Sequence, residues 1–421
     1  MNLKESGQLH ILPRLLAVLI FTSFYALFNW AYGSFAILLM ALLAAVSMLW
    51  EQSGRLHVRL SFFHIWMLLF AGYCFLSSIW AWDADNTVTK GITVLSMFIC
   101  YSLLWLCYQE FDSVDCLLKA VLWGGNILML IVIVTYGLKG ILSLLQYEDR
   151  LSEQFFLNSN TVGVICAMSF VINFYYVLKE KRLHWWTVFL LLGILIVSAT
   201  GSRQALAVMM GGLVLLYFLS VMHDRAPAEI AVLVLIGIAL LLVLLLMIAK
   251  LPAFSGIYKR MQSMFSAMSG VGQTDRSATT RLQMIEIGMD QFYRTPLLGI
   301  GIGSARYAMW KYMNRLIYLH NNFVEILAGG GVVGFAIYYS VFVWILINFI
   351  RYHRYGTVET SVCAALLIML LVDDYANVTY YSKDTYFYLM ICALEVEKLR
   401  SNCREHLPKT PLLRSLPGGV L

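Results

Sequence analysis

Long apolar runs separated by short polar segments make up most of the chain. Most of these runs approach the roughly 20 residues that a helix needs to cross the hydrocarbon core of a bilayer. Because lipid offers backbone amides and carbonyls no hydrogen-bond partner, each run is predicted to be a membrane-spanning α-helix. The pattern predicts about twelve spans: 11–30, 34–50, 62–82, 91–108, 116–138, 161–178, 185–200, 204–221, 228–249, 323–350, 358–374 and 384–397.

One long polar segment interrupts this pattern between residues 250 and 322. We therefore divide the chain into about nine spans over 1–249, a large loop over 250–322, about three spans over 323–397 and a tail over 398–421. The predicted fold class is all-α: a polytopic membrane protein with one large external loop.

The large loop contains predicted helices of its own. An amphipathic helix over 281–294, opened by Arg281 and ended by Pro296, is predicted from apolar residues at helical spacing: Leu282, Ile285, Met289 and Phe292. A helix lying in the membrane interface is predicted from a second apolar face: Ile257, Met261, Met264, Phe265 and Met268.

Two groups of glycines carry further predictions. Gly299, Gly301 and Gly303 follow the amphipathic helix and predict a tight turn. The run 329–331 lies within a predicted span and favours close packing of helices.

Composition and charge agree with a membrane protein and give it an orientation. The chain is 60% hydrophobic and 13% charged, whereas a soluble domain carries about 45–50% apolar and about 25% charged residues. Lysine and arginine in the short loops place both termini in the cytoplasm. The segments 139–160, 199–203, 250–320 and 375–383 then fall on the external face.

The external loop is strongly basic. Residues 250–320 hold nine lysines and arginines and three carboxylates, a net charge of +6 that equals the formal charge of the whole chain. A cationic loop framed by membrane spans favours an anionic, lipid-borne substrate. The eight cysteines include no CxxC pair, so we predict neither a zinc site nor a disulfide framework.

Three arginines are candidates for binding phosphate, because the guanidinium presents a planar fork of donors. Arg203 lies at the outer end of a span, and Arg276 and Arg281 lie at the amphipathic helix. The alternative for Arg203 is an interfacial anchor whose charge reaches the headgroups. For Arg276 and Arg281 it is a solvated polar face.

His320 is the candidate acid–base group, since histidine exchanges a proton near neutral pH. It lies where the large loop re-enters the membrane, and the alternative is a histidine bonded to a carbonyl. Glu325 follows just inside the next span, where an ionisable group is costly and often functional. Asp373 and Asp374 end another span on the same face and could orient the histidine, or be plain helix-end charges.

Three segments in order resemble one known family. They are Thr200-Gly201-Ser202-Arg203-Gln204-Ala205-Leu206, then Arg281 through Gly303, then His320-Asn321-Asn322-Phe323-Val324-Glu325-Ile326-Leu327 followed by Gly331-Val332-Val333-Gly334-Phe335. They are similar to segments of the O-antigen ligase and polymerase superfamily of bacterial envelope glycosyltransferases.

The resemblance implies a GT-C-type fold and an inverting, metal-independent glycosyltransferase without a cofactor. Its implied donor is a glycan on undecaprenyl pyrophosphate, and an acceptor sugar hydroxyl displaces the pyrophosphate lipid. Arg203 and Arg281 map onto arginines that hold the pyrophosphate, and His320 maps onto a histidine that activates or positions the acceptor. Some relatives carry a second histidine close to this one, so Glu325 or an aspartate could share the work of His320.

The leading hypothesis is a polymerase that joins lipid-linked repeat units of an O-antigen, capsule or exopolysaccharide. The alternative is a ligase that moves finished glycan to a lipid core or a protein. A transporter or lipid flippase is a third class, but it would favour ionisable sites near the middle of the bilayer. The expected location is the bacterial cytoplasmic membrane, with the site on its extracytoplasmic face. The expected partners are the lipid-linked glycan, membrane lipid, a chain-length regulator and a flippase, with no role for nucleic acid.

Overall fold

The computed structural model describes residues 59–109, 113–146, 151, 158–180, 187–222 and 276–406, together with isolated positions before residue 59. These residues form eleven α-helices, one short 3₁₀ turn and no strand. The helices are α1 Phe62–Ser77, α2 Ala84–Tyr108, α3 Ser113–Gln146, α4 Ser159–Glu180, α5 Val188–Ala199, α6 Arg203–Met222, α7 Arg276–Arg294, α8 Ala305–Met313, α9 Asn322–Arg351, α10 Val358–Asp374 and α11 Lys383–His406.

Nine of these helices overlap predicted spans, namely α1 to α6 and α9 to α11. Five of the described helices are long and apolar enough to cross a membrane: α2, α3, α4, α6 and α9. The predicted spans 11–30 and 228–249, almost all of 34–50 and the predicted interfacial helix around residue 261 lie outside the described residues. The total of twelve spans and the GT-C type therefore stay predictions.

Two helix ends differ from the sequence expectation. Helix α3 continues to Gln146 past a break at Gly137, where φ is 67°, although a loop was expected from residue 139. Glycine tolerates this left-handed backbone, so the chain bends and resumes its helix instead of leaving it. Helix α11 continues to His406, into the predicted tail, and its described part ends two residues before Pro408.

Hydrogen bonds gather several of the predicted external segments at one end of the molecule. We call this the site end; it comprises residues 77–90, 199–204, 295–325 and 373–383. Asp83 at the start of α2 pairs with Arg306, at 2.7 Å. Gln204 at the start of α6 donates to Asp373 at the end of α10. The side-chain amide of Asn321 donates to the carbonyl of Tyr375 at 3.0 Å and links these two pairs, so four segments that are distant in sequence share one surface.

The predicted cytoplasmic segments meet at the other end. The ammonium group of Lys179 lies 3.0 Å from Asp115 and 2.6 Å from Glu359, which links α3, α4 and α10. The Ser61 hydroxyl donates to Glu397 at 2.9 Å. The alternation of ends agrees with helices that cross from one face to the other.

An aromatic core joins the N-terminal and C-terminal helices between these ends. Trp66 of α1 is fully buried and donates its indole N–H to the carbonyls of Ile337 and Tyr338 in α9. Its ring lies 5.3 Å from that of Tyr386 in α11, measured between ring centroids. Burial of such large rings contributes strongly to stability. The packing of α1, α9 and α11 against one another therefore supports the site end.

Candidate functional site

Helix α9 is interrupted at Gly331, where φ is 61° and ψ is −166°. The loop after α7 fits into this break. The amide of Val332 donates to the carbonyl of Pro296 at 2.8 Å, and the amide of Ile300 donates to the carbonyl of Ala328 at 3.1 Å. Glycines 329–331 therefore admit a loop backbone, which the sequence did not predict, and Gly330 also lies close to Tyr73 of the neighbouring helix α1. A Cβ atom at Gly331 would collide with the Leu297 carbonyl.

The loop that enters this break is itself shaped by glycine. Gly299, Gly301 and Gly303 all have positive φ, at 67°, 96° and 82°. Because side chains rarely adopt such angles, glycine is required for the tight turn. The loop then contacts the start of α2, where Asn86 donates its side-chain amide to the carbonyl of Gly303 at 2.7 Å.

The buried face of the amphipathic helix α7 is rotated from the one predicted, with Ile285 and Met289 packed at its edge. Its buried residues are Met284, Gly288 and Gln291, whereas Leu282 is 53% exposed. The register follows Gly288: a Cβ atom there would lie 2.6 Å from side-chain carbons of both Leu319 and Val324. A helix can approach that segment so closely only along a face that carries no side chain at the contact.

The face of α7 that contacts Leu319 through Gly288 also carries Arg281, which therefore lies toward His320. Arg281 lies seven residues before Gly288, two helical turns away on the same face. The described helix begins at Arg276, so Arg281 does not open it as the sequence analysis assumed. The side chain of Arg276 lies outside the described residues, and its predicted role stays a prediction.

His320 has an unusual backbone and an unusually acidic imidazolium. Its φ of 54° is left-handed, which is uncommon for a residue other than glycine. Its ring packs on that of Tyr318, with 4.3 Å between centroids. Burial, and then the charge of Arg281, lower the pKa of His320 to about 4, so the ring is neutral at pH 7. Its Nδ1 atom is buried and has no hydrogen-bond partner among the described residues.

Glu325 supports the segment that carries His320. Its side chain is 3% exposed, and its carboxylate accepts the amide N–H of Leu319 at 2.9 Å. The first turn of α9 is capped by Asn321, whose side-chain oxygen accepts the amide of Val324 at 3.0 Å. Two contacts thus fix the chain immediately before and after His320.

Asn322 ties this segment to the end of α10. Its side-chain oxygen accepts the amides of Thr379 and Tyr380 at 3.0 and 3.1 Å. Its side-chain nitrogen donates to Asp374 at 3.2 Å. Asp374 also accepts hydroxyl hydrogen bonds from Tyr339 and Thr379. The carboxylate is fully buried and satisfied by these donors, and it holds two segments together.

Asp373 has a corresponding role beside Arg203. It accepts hydrogen bonds from the side-chain amides of Gln204 and Asn377. Ser202 precedes α6 and accepts the amide of Ala205 at 3.2 Å, as a helix cap does. These contacts fix the first turn of α6, from which the half-buried Arg203 projects.

Except for Arg276, whose side chain lies outside the described residues, the predicted residues lie toward one end of the molecule, in two kinds of environment. His320 and Arg281 are close enough to interact electrostatically. Glu325, Asp373 and Asp374 each bond to backbone or side-chain donors that position neighbouring segments. Among the described residues, no group of three histidine, cysteine, aspartate or glutamate side chains is arranged to hold a metal ion.

Sequence reasoning missed the contribution of α2. Asp83 accepts hydrogen bonds from Arg306 and from the amide of Asn86. Burial raises the pKa of Asp83, but the two donors lower it by more, so the pKa lies below its ordinary value. Lys90 lies on the same helix near Glu325. The spacing of Asp83, Asn86 and Lys90 by three and four residues was the available signal.

Exposed aromatic rings border the site on α8. Tyr307 and Trp310 are 39% and 46% exposed, and their ring centroids lie 5.3 Å apart. Rings of this kind serve either as a platform for sugars or as a belt at the lipid interface.

Residues 188–339 match the family model described as O-antigen ligase. This match confirms the resemblance to the O-antigen ligase and polymerase superfamily for that segment, which contains Arg203, Arg281, His320 and Glu325. Together with the apolar helices, it supports a membrane protein with glycan transfer of the ligase or polymerase type. No curated protein matches the chain.

Proposed function

We propose that this protein is a polysaccharide polymerase of the bacterial cytoplasmic membrane. It would transfer a glycan from undecaprenyl pyrophosphate to a sugar hydroxyl of another lipid-linked repeat unit, on the extracytoplasmic face. The observation that carries the proposal is His320, with a buried Nδ1 atom that has no hydrogen-bond partner among the described residues and with the charge of Arg281 acting on its ring, within a segment that matches the O-antigen ligase family. A chain-length regulator and a flippase are the partners that we expect for such a reaction.

The arginines would stabilise the leaving group. The acceptor oxygen attacks the anomeric carbon, the bond from that carbon to the phosphate oxygen breaks, and the electron pair leaves with the pyrophosphate lipid. Negative charge grows on the phosphate oxygens, and fixed cations in a poorly hydrated site stabilise it. Arg203 at the site end and Arg281, whose charge acts on His320, would take this role, and the configuration would invert because attack is from the opposite side.

His320 would take the proton of the acceptor hydroxyl. Its ring is neutral at pH 7, so it is in the form that accepts a proton. The charge of Arg281 makes it a weak base in the free protein. A pyrophosphate bound to Arg281 would offset that charge and raise the pKa of His320. Donor binding thus strengthens the base in the state in which it is needed.

The carboxylates would position other groups. Glu325 is engaged by the amide of Leu319, Asp374 by Asn322 and Asp373 by Gln204. We therefore assign them to holding His320, the start of α9 and the start of α6. His320 would act alone as the proton acceptor.

A ligase is the second candidate, because the matched family model is described as O-antigen ligase. A ligase would use the same donor site and differ in its acceptor. It would move finished glycan to a lipid core or a protein.

The test is a gel of lipid-linked and surface glycan from cells with wild type, a deletion, Arg281→Ala or His320→Ala. Arg315→Ala is the matched control, because Arg315 is an exposed cation of the same loop. The polymerase proposal expects single repeat units without a ladder in the deletion and both site variants, and a normal ladder in the control. Long lipid-linked chains that fail to reach a final acceptor would indicate a ligase. Wild-type ladders from both site variants, with the proteins present in the membrane, would overturn the site.

A further inference from the structure

The outward face of helix α8 carries aromatic rings and a cation but no aliphatic side chain. The exposed residues of this helix are Tyr307, Trp310, Lys311 and Tyr312. Tyr307 and Trp310 are three residues apart and share one side of the helix, with their ring centroids 5.3 Å apart. A helix that inserts a face into the membrane interface typically carries leucine beside its aromatic residues. The composition of α8 therefore favours a ligand that offers both apolar faces and hydroxyl groups.

Trp82, directly before α2, adds a third exposed ring to this surface. Its side chain is 42% exposed, and the ammonium group of Lys311 lies 5.6 Å from the centroid of its ring. Lys311 is four residues after Tyr307 and thus on the same side of α8. Three rings and one ammonium group therefore share one surface. We call it the aromatic platform; it comprises Trp82, Tyr307, Trp310 and Lys311.

Polar contacts between α8 and the start of α2 hold the aromatic platform in place. Arg306 of α8 pairs with Asp83 at 2.7 Å. The amide of Asp83 donates to the hydroxyl of Ser304 at 3.1 Å, and the amide of Trp82 donates to the carbonyl of Ile300 at 3.0 Å. Because these bonds fix the backbone on both sides of the platform, its rings are preorganised and lose little freedom when they bind a ligand.

The opposite side of α8 packs toward the segment that carries His320. Ala305 and Met309 belong to one apolar cluster with Leu319 and Val324. Leu319 directly precedes His320. The aromatic platform therefore lies on the outer side of a helix whose inner side borders the candidate site. A glycan that presents a hydroxyl to His320 could extend over this helix.

We propose that the aromatic platform is a subsite for the sugar rings of the lipid-linked repeat unit. The C–H face of a pyranose ring is apolar and packs on aromatic rings, while the ammonium group of Lys311 can donate to sugar hydroxyls. This inference rests on the proposed function, because it names a contact of the same glycan outside the reacting bond. The competing occupant is membrane lipid, with the rings as an interfacial belt.

The first test is hydroxyl-radical oxidation of the full-length protein in lipid nanodiscs, with oxidised peptides quantified by mass spectrometry. The His320→Ala variant is used so that bound repeat unit is not consumed. Samples without ligand, with the lipid pyrophosphate alone and with the lipid-linked repeat unit are compared. Tyr312 is the internal control: it is 47% exposed on the same helix, but it lies two residues after Trp310 and so about 200° away around the helix.

We expect Tyr307 and Trp310 to be oxidised readily without ligand, and to lose most of this reactivity only with the ligand that carries sugars. Tyr312 should react equally in all three samples. Slow oxidation of Tyr307 and Trp310 without ligand would identify a lipid belt and overturn the subsite. Rapid oxidation that the sugars do not reduce, or equal protection by the lipid pyrophosphate alone, would overturn it as well.

The second test separates stacking of sugars from general apolar contact in the otherwise wild-type protein. Trp310→Leu should raise the KM for the lipid-linked repeat unit about 10-fold, equivalent to about 1.4 kcal/mol. Its kcat should stay unchanged, because the platform does not touch the reacting atoms. Trp310→Phe should keep most of the affinity, and Tyr312→Leu should behave as wild type. An unchanged KM in Trp310→Leu would contradict the subsite.

Failure of the proposed function is recognised separately from failure of the subsite. If the proposed function is wrong, the wild-type protein does not extend the lipid-linked unit. The oxidation pattern of Tyr307 and Trp310 still shows in that case whether the aromatic platform binds the sugars.

Discussion

His320 is predicted to stay neutral well below the pH at which an ordinary histidine is protonated. Burial and the positive charge of Arg281 both disfavour the imidazolium and lower its pKa to about 4. Replacing Arg281 by alanine removes only the second cause, so the pKa of His320 should rise toward 6.5 without reaching it. The acid limb of the pH profile of kcat/KM should move upward in the same direction.

The measurement that checks this pKa without relying on activity is the reaction of His320 with diethylpyrocarbonate, which requires a neutral ring. The modified His320 peptide is quantified by mass spectrometry between pH 4 and pH 8, chosen because the interval spans the unperturbed pKa of about 6.5. We expect the reactivity of His320 to be half-maximal near pH 4 in wild type and at a higher pH in Arg281→Ala. Arg315→Ala, which changes an exposed cation of the same loop, should leave the curve in place. Half-maximal reactivity near 6.5 in wild type would contradict the assignment.

Individual site residues could be recognised from the sequence, but their tasks could not. The motif that surrounds His320 identified it, and the spacing of Arg281 placed it on the amphipathic helix. The sequence predicts that Glu325 could share the work of His320 and that Asp373 and Asp374 could orient the histidine. It does not identify their partners, because their hydrogen bonds cross between distant segments. The bond from Leu319 to Glu325 and that from Gln204 to Asp373 depend on the folded chain.

The approach of α7 to the segment that carries His320 should depend on Gly288. Alanine at this position would place a Cβ atom 2.6 Å from carbons of Leu319 and Val324. Overpacking of this kind costs about 1–3 kcal/mol, while the higher helix propensity of alanine returns up to about 1 kcal/mol. We expect a lower melting temperature and a clear loss of transfer, since α7 must shift and carries Arg281 with it.

Gly211 of α6 is the matched control for Gly288. It is also helical, but no atom lies within 4 Å of the Cβ that alanine would add. Gly211→Ala should therefore leave transfer unchanged and leave the melting temperature equal or slightly higher. Equal effects of the two substitutions on melting temperature and activity would show that the contact of Gly288 with Leu319 does not set the position of α7.

The break in α9 gives a second prediction about an element. Gly331 and Gly137 both have a φ above 60° with an extended ψ, a conformation that essentially only glycine adopts. Alanine should cost about 1–3 kcal/mol from backbone strain at either position. At Gly331 it would also collide with the backbone of Leu297 and Leu298, whereas at Gly137 no atom lies within 4 Å.

We therefore expect Gly331→Ala to lower the melting temperature in detergent more than Gly137→Ala, and to abolish transfer. Size-exclusion chromatography after heating checks the first expectation, and the gel of lipid-linked glycan checks the second. Similar melting temperatures for the two variants would mean that the loop after α7 can leave the break at little cost.

Apolar periodicity located the helices better than it located their functional faces. The boundaries of α9 were close to the expected span, because a long apolar run permits little else in a membrane. The interruption at Gly331 was missed, since glycines within a span are equally compatible with close helix packing. The buried face of α7 was misjudged because Gly288, which has no side chain to add to an apolar pattern, sets the contact.

The alternation of ends predicts a topology for the whole molecule. The site end gathers three segments that the lysine and arginine bias places outside, namely 199–203, 295–320 and 375–383, and the other end gathers Arg59, Lys179 and Arg351. A single cysteine in place of Asp85 should therefore react with a membrane-impermeant thiol reagent in intact spheroplasts, in which the outer face of the cytoplasmic membrane is open to the medium. A cysteine in place of Arg354 should react only after the membrane is opened.

These labelling experiments require a background in which native thiols do not interfere. Of the eight cysteines, Cys116 and Cys403 are only partly buried, and both lie toward the end opposite the site. They are replaced first, and the unsubstituted background serves as the control for residual labelling. Both residues that receive the new cysteine are exposed, so accessibility to reagent is limited by the membrane rather than by packing.

Labelling at position 354 in intact cells, with position 85 protected, would invert the topology and place His320 on the cytoplasmic face. Because a lipid-linked glycan is polymerised outside the cytoplasm in the proposed reaction, that result would also exclude the proposed function, even if the glycan gel showed the expected loss.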